Sequence, residues 1–170
     1  MSFESAFDEV VMLEGGYVNH PLDRGGKTKY GISQRAYPDL DILNLTLEDA
    51  RKIYKRDYWD FLKLNLVYSG LIRGEMFDTG VNMGTWSAAD CAQRACNLLS
   101  PGSLRLDRII GPKSIAVIND LAAQDLYALY KAMNGFQFVR YVEILEEDPE
   151  QVEFIKGWMR RLKDFNRKRG

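Results

Sequence analysis

Apolar residues return every three or four positions at the start of the chain, at Phe3, Ala6, Phe7, Val10, Val11 and Leu13. That period predicts an amphipathic helix over residues 2–14, and Gly15 with Gly16 supplies its stop. Glu14 falls four after Val10 and seven after Phe7, so it continues the core-facing stripe. Residues 15–33 are rich in Gly, Asn, Pro and Asp, with a β-prone piece at Thr28 to Ile32, which predicts a loop or small hairpin. In "LTLEDARKIYKRDYWDFLK", Thr46 is placed as an N-cap with Asp49 three later, and Leu47, Ala50, Ile53, Tyr54 and Tyr58 share one helical face. A further helix is expected over 69–82, closing on Gly84, and another from Ser87 as N-cap with Asp90 three on. Pro112 suits a first helical position, and the apolar pattern that follows is interrupted near Asn134 and Gly135, so one long helix and two shorter ones both fit. Asp148, Pro149 and Gln151 begin a last helix whose Phe154, Ile155, Trp158, Met159 and Leu162 are expected to face inward. The pattern is mainly α with a small β excursion, and it contains no internal repeat.

Composition narrows the classes. A chain of 170 residues can bury a core as one compact domain or as two small lobes sharing one. Lys plus Arg is 23 and Asp plus Glu is 24, a net charge of −1, which gives no global electrostatic case for nucleic acid or membrane. Cys91 and Cys96 lie five apart in a predicted helix, an offset poor for a disulfide, so two free thiols are expected. His20 is the lone histidine, so neither a zinc site nor another metal or cofactor is implied. "MSFESAFDEV" carries acids where a signal peptide would be basic, and no stretch approaches the roughly 18 apolar residues of a membrane span. Synthesis in the cytoplasm without a signal peptide is the expectation.

Glu14 is the residue that asks for chemistry. A carboxylate at a helix C-terminus meets the negative end of the macrodipole, and apolar neighbours would disfavour its ionised form further. Both effects push its pKa up, toward the protonated acid that cleavage of a glycosidic bond needs to assist the leaving oxygen. The plain alternative is a glutamate fraying into water past the last turn. Asp23 supplies a second carboxylate nearby in sequence, either to steady an oxocarbenium-like transition state or to activate water; otherwise it is a turn aspartate.

The segment "EGGYVNHPLDRGGKTKYGIS" resembles the signature of the glycoside hydrolase family 108 lysozymes, phage and prophage N-acetylmuramidases also known as secretion activators. The resemblance implies a lysozyme-like fold and makes Glu14 the catalytic acid. The stretch is also similar to wider phage lysozymes, which space a Glu, eight residues, an Asp, five residues and a Thr around the cleft. Glu14 and Asp23 keep the first interval, while four residues separate Asp23 from Thr28, one fewer than that pattern. "MFDTGVNMG", Met76 to Gly84, resembles the family's FD-x-x-V-N-x-G helix on the other cleft wall, which makes Asn82 a substrate contact or, structurally, a helix C-cap. Tyr30 and Trp86 are the aromatic side chains expected to stack on sugar rings, the alternative being core packing.

"LRLDRIIGPKSIAVI", Leu104 to Ile118, resembles the D-G-x-x-G-P-x-T start of a predicted peptidoglycan-binding region that follows the family segment. Arg108 stands in place of its Gly and Ser114 in place of its Thr. The expected layout is a lysozyme-like catalytic region over 1–95 and a helical peptidoglycan-binding-like region over 96–170 packed on it as one unit. The implied activity is cleavage of the β-1,4 bond between N-acetylmuramic acid and N-acetylglucosamine. Alternatives are a lytic transglycosylase and a non-catalytic wall-binding or secretion-accessory protein. Peptidoglycan strands are the expected partner, and the protein is expected to be a monomer acting in the periplasm or wall after holin-type release. The basic end of the chain, with Lys156, Arg160, Arg161, Lys163, Arg167, Lys168 and Arg169, reads as a solvated face or as a contact for anionic wall polymers or membrane surface. Such a contact would weaken with salt over a Debye length of about 8 Å.

Overall fold

Helix α1 spans Phe3–Glu14, close to the range that the apolar spacing predicts. Phe3, Ala6, Phe7 and Val10, its inward stripe, are all buried. The computed structural model describes residues 1–14 and 27–162, and of Met12, Leu13 and Glu14 only the backbone. Described residues divide into two units, Met1–Phe61 and Leu62–Gly170.

In the first unit, Thr28–Lys29 (β1) and Ile32–Ser33 (β2) pair antiparallel, with Lys29 opposite Ile32. Tyr30 and Gly31 form the connection with φ of 53° and 75°, the two positive values that a type I′ hairpin turn requires. Glycine adopts that conformation freely, and tyrosine does not. The Tyr54 hydroxyl donates to the Tyr30 carbonyl at 3.0 Å and so holds the strained residue in place.

Helix α2, Leu47–Tyr54, begins with the capping box read from Thr46 and Asp49: Thr46 Oγ1 accepts from the Asp49 N–H at 3.1 Å, and Asp49 Oδ2 accepts from the Thr46 N–H at 3.2 Å. Leu47, expected on the inner face, is exposed. The helix then widens into a π-helical stretch, Lys55–Asp60. A wider turn brings residues five apart onto one face, so the buried stripe passes from Tyr54 to Trp59 and Tyr58 is left half-buried, correcting the face predicted from 3.6-residue spacing. The rings close a cluster: Phe3 meets Trp59 edge-on at 5.5 Å, and Phe7 meets Tyr54 edge-on at 5.6 Å. Above it Arg51 lies 5.1 Å from the Phe7 ring and donates to Glu4 at 2.7 Å.

The second unit is built from α3 (Gly70–Met83), α4 (Thr85–Leu99) and α5 (Pro112–Glu147), each packed on the other two. Ser69 caps α3 as its N-terminal residue. Gly84, at φ 87°, ends α3 and turns the chain directly into α4, which begins at Thr85; Ser87, read as the cap, lies inside the first turn. A Cβ on Gly80 would stand 3.1 Å from Leu62 Cδ1, so glycine permits that close packing. Cys91 and Cys96 are buried free thiols. Burial pushes both up to about 12, so they stay protonated near neutral pH.

Helix α5 breaks at Asp125, with φ −150° and ψ 90°, rather than near Asn134 and Gly135. The Asp125 carboxylate accepts from the Tyr127 and Ala128 N–H groups at 3.1 and 3.0 Å, which makes it the N-cap of a second segment. Asn134 stays helical by donating back to the Tyr130 carbonyl at 3.1 Å. Asp148 starts the last elements as expected, but Pro149–Phe154 is a 3-10 helix before α6, Ile155–Arg161. Phe154 is exposed; Ile155, Trp158, Met159 and Leu162 are half-buried, and Trp158 stacks on Tyr141 at 5.2 Å.

Phe7 has no exposed surface. Phe7→Ala removes the ring between Phe3, Tyr54 and Arg51 and should cost about 3–5 kcal/mol, measured as a lower urea midpoint for the transition of the first unit.

Candidate functional site

The sequence-predicted residues fall in three places. Glu14 is the last residue of α1, whose final turn carries no basic side chain to offset its carbonyl end. The Glu14 side chain and all of Asp23 lie outside the described residues.

Thr28 and Tyr30 share the hairpin of the first unit, Thr28 opposite Ser33 and Tyr30 in the turn. Both are half-buried rather than core. Lys29 Nζ stands 5.5 Å from the Tyr30 ring centre and donates to the Leu43 carbonyl at 2.9 Å, tying the hairpin to the following loop. Nearby, Tyr37 donates to Asp57 Oδ2 at 2.8 Å. Arg56, then Tyr37, lowers the Asp57 pKa by hydrogen bonding to the carboxylate, whereas burial and the same bond raise that of Tyr37.

Asn82 and Trp86 flank Gly84 in the second unit. Asn82 lies inside the last turn of α3 and does not act as its C-cap, which is Gly84. Its Nδ2 donates to the Tyr141 hydroxyl at 2.6 Å, and Gln137 Nε2 donates to the same oxygen at 3.1 Å. Tyr141 and Gln137 are fully buried, so the amide of Asn82 is oriented by a dry polar network on α5. Asp78, one helical turn earlier, accepts from Arg161 at 3.1 Å across two mostly buried side chains. Arg161, read as part of a basic outer face, is thus spent on an internal ion pair, and Lys163 with the basic residues beyond it lies outside the described residues. Trp86 is 66% exposed and borders a cleft of its own unit.

Sequence reasoning missed Tyr141 and the inward ion pair of Arg161, both distant in the chain from the segments they hold. Among the described residues no group of three His, Cys, Asp or Glu side chains is placed to hold a metal ion.

Residues 7–84 match the family described as glycosyl hydrolase 108, and residues 88–163 match one described as a predicted peptidoglycan domain. Among solved structures, that of SagA from Brucella abortus aligns with 94% of this chain and 88% of its own, at 24% identity and a TM-score of 0.75. The mainly helical architecture with its small hairpin is accordingly the lysozyme-like fold. No curated protein matches the chain.

Tyr141→Phe leaves the Asn82 and Gln137 amides without the oxygen they share. The expected loss is about 1–3 kcal/mol of stability, seen as a lower unfolding midpoint.

Proposed function

We propose, from the match of residues 7–84 to glycosyl hydrolase 108 and of residues 88–163 to a predicted peptidoglycan domain, that the chain is an N-acetylmuramidase, a lysozyme cleaving the β-1,4 bond after N-acetylmuramic acid. The observation that carries the reading is the coincidence, inside the matched segment, of a helix C-terminus with Glu14. The carbonyl end of α1, whose last turn carries no basic side chain, would favour the acid form of a carboxyl group there, the form that protonates a departing glycosidic oxygen. Asp23 is the second carboxylate of the proposal, stabilising positive charge at the anomeric carbon or activating water.

Thr28 and Tyr30 sit on a hairpin whose turn is fixed by Tyr54, which favours a preset rather than adaptable sugar contact. Asn82 brings an amide with two N–H groups and a carbonyl. Its bond to Tyr141 sets the orientation of that amide and leaves donor and acceptor capacity for an acetamido or hydroxyl group. The second half would hold the enzyme on the wall, where the product stays attached to the polymer. The site of action in this proposal is the periplasm or wall, reached after holin-type release.

Glu14→Gln removes the transferable proton while keeping the shape of the side chain. On purified peptidoglycan it should lower release of reducing ends by about 10²–10⁴-fold. Equal release by both proteins would overturn the mechanism. No release by either would favour a non-catalytic wall-binding protein, and new amino termini in place of reducing ends would indicate an amidase or peptidase.

A further inference from the structure

The second unit holds a cleft of about 250 Å³ between the start of α4, the loop before α5 and the second segment of α5. Trp86, Asp90, Arg94, Arg108, Arg140 and Glu143 are among the side chains that line it. Its volume is below the roughly 300–1,000 Å³ of pockets that enclose a whole small molecule, so it suits one residue of a polymer.

The backbone at Arg108 is the first sign of purpose. Arg108 has φ 62°, a left-handed conformation that strains any residue with a Cβ. The turn is held from below by Gln93, which is buried: its Oε1 accepts from the Arg108 N–H at 2.9 Å, while its Nε2 donates to Asp107 Oδ1 at 2.8 Å and to the Ile109 carbonyl at 3.1 Å. A glycine would satisfy the same clamp without strain. What arginine adds is a guanidinium at the cleft.

The charges there are unequally engaged. Arg94 holds Asp90 at 2.7 Å and Arg140 holds Glu143 at 3.0 Å, whereas Arg108 reaches Asp90 at 3.5 Å with its side chain 57% exposed. A guanidinium so placed can take an incoming carboxylate through two parallel N–H donors. Trp86, 66% exposed at the same cleft, offers a flat apolar face to the C–H groups of a pyranose ring. One ligand chemistry joins the two: a sugar ring bearing a short acidic peptide.

We propose that this cleft binds the muropeptide repeat of peptidoglycan, with the amino sugar against Trp86 and a carboxylate of the peptide stem on Arg108. The proposal rests on the reading that the chain acts on peptidoglycan, and it makes the second half a reader of the stem as well as of the glycan. Strands stripped of their peptides would then be held less well than intact wall.

The test uses the full chain carrying Glu14→Gln, titrated calorimetrically with purified disaccharide-tetrapeptide. The peptide-free disaccharide and the sugar-free tetrapeptide form separate arms. The whole muropeptide should bind more tightly than either part, and Trp86→Ala and Arg108→Gly should each weaken it by on the order of tenfold. Arg108→Lys, a point charge without the fork, should fall between. Arg108→Gly also relieves the left-handed strain, so its Tm should hold or rise, which separates lost recognition from lost fold. Muropeptide affinity unchanged in both variants, no measurable binding, or disaccharide binding as tight as the muropeptide would each overturn the proposal. Those results leave the role of Glu14 standing, because that role is read separately from reducing-end release by the chain with its native glutamate.

Discussion

The rings of Phe3 and Phe7, seated against Trp59 and Tyr54, set the axis of α1, and with it the point at which Glu14 leaves the helix. The proton transfer proposed for Glu14 requires that end to be fixed, because a displacement of about 1 Å can cost two orders of magnitude in rate. Two devices order the described elements of the first unit. The π-helical stretch carries Trp59 onto the buried face, and the Tyr54 hydroxyl reaches past the ring cluster to hold the strained Tyr30 turn. A single residue, Tyr54, therefore serves both the packing of α1 and the shape of the hairpin.

The second unit depends on polar side chains that bind backbone or one another. Gln93 clamps the loop before α5, Asn97 accepts from the Leu104 N–H at 2.9 Å, and Asn119 joins the Tyr68 N–H to the Leu66 carbonyl. Each replaces a missing secondary-structure bond and so lets an irregular segment lie against helices without orphaned donors. Tyr141 performs the same service for Asn82, so the amide of one residue in the segment matched to the hydrolase family is held by a residue in the segment matched to the peptidoglycan domain.

What was legible in the sequence was local. The stripe of α1, the Thr46 capping box, the helix over 69–82 and the short hairpin each follow from residues within a few positions of one another. What was not legible depended on neighbours far along the chain. Nothing near Lys55 announces a wider helical turn; the need to bury Trp59 against Phe3 explains it. The start of α4 moved forward from Ser87 because Gly84 turns the chain at once, and Phe154 lies outward because a 3-10 turn shifts its phase. In the candidate site, the segments that carry Glu14 and Asn82 could be picked out by their motifs, and the substitution of Arg108 for glycine could be seen. Where that arginine points required the backbone.

The break at Asp125 makes α5 two rods in succession instead of one beam. A continuous helix of 36 residues would have to keep one angular phase from end to end, so that a change in the packing of its first half would rotate every side chain of its second. Here the carboxylate cap resets the phase. The second half holds α3 and α6 through the bond of Tyr141 to Asn82 and its stacking on Trp158, while the first half holds the loops through Ser114 and Asn119. Each half can therefore take its own angular setting against its neighbours while the bonds that join Asn82, Tyr141 and Gln137 stay in place.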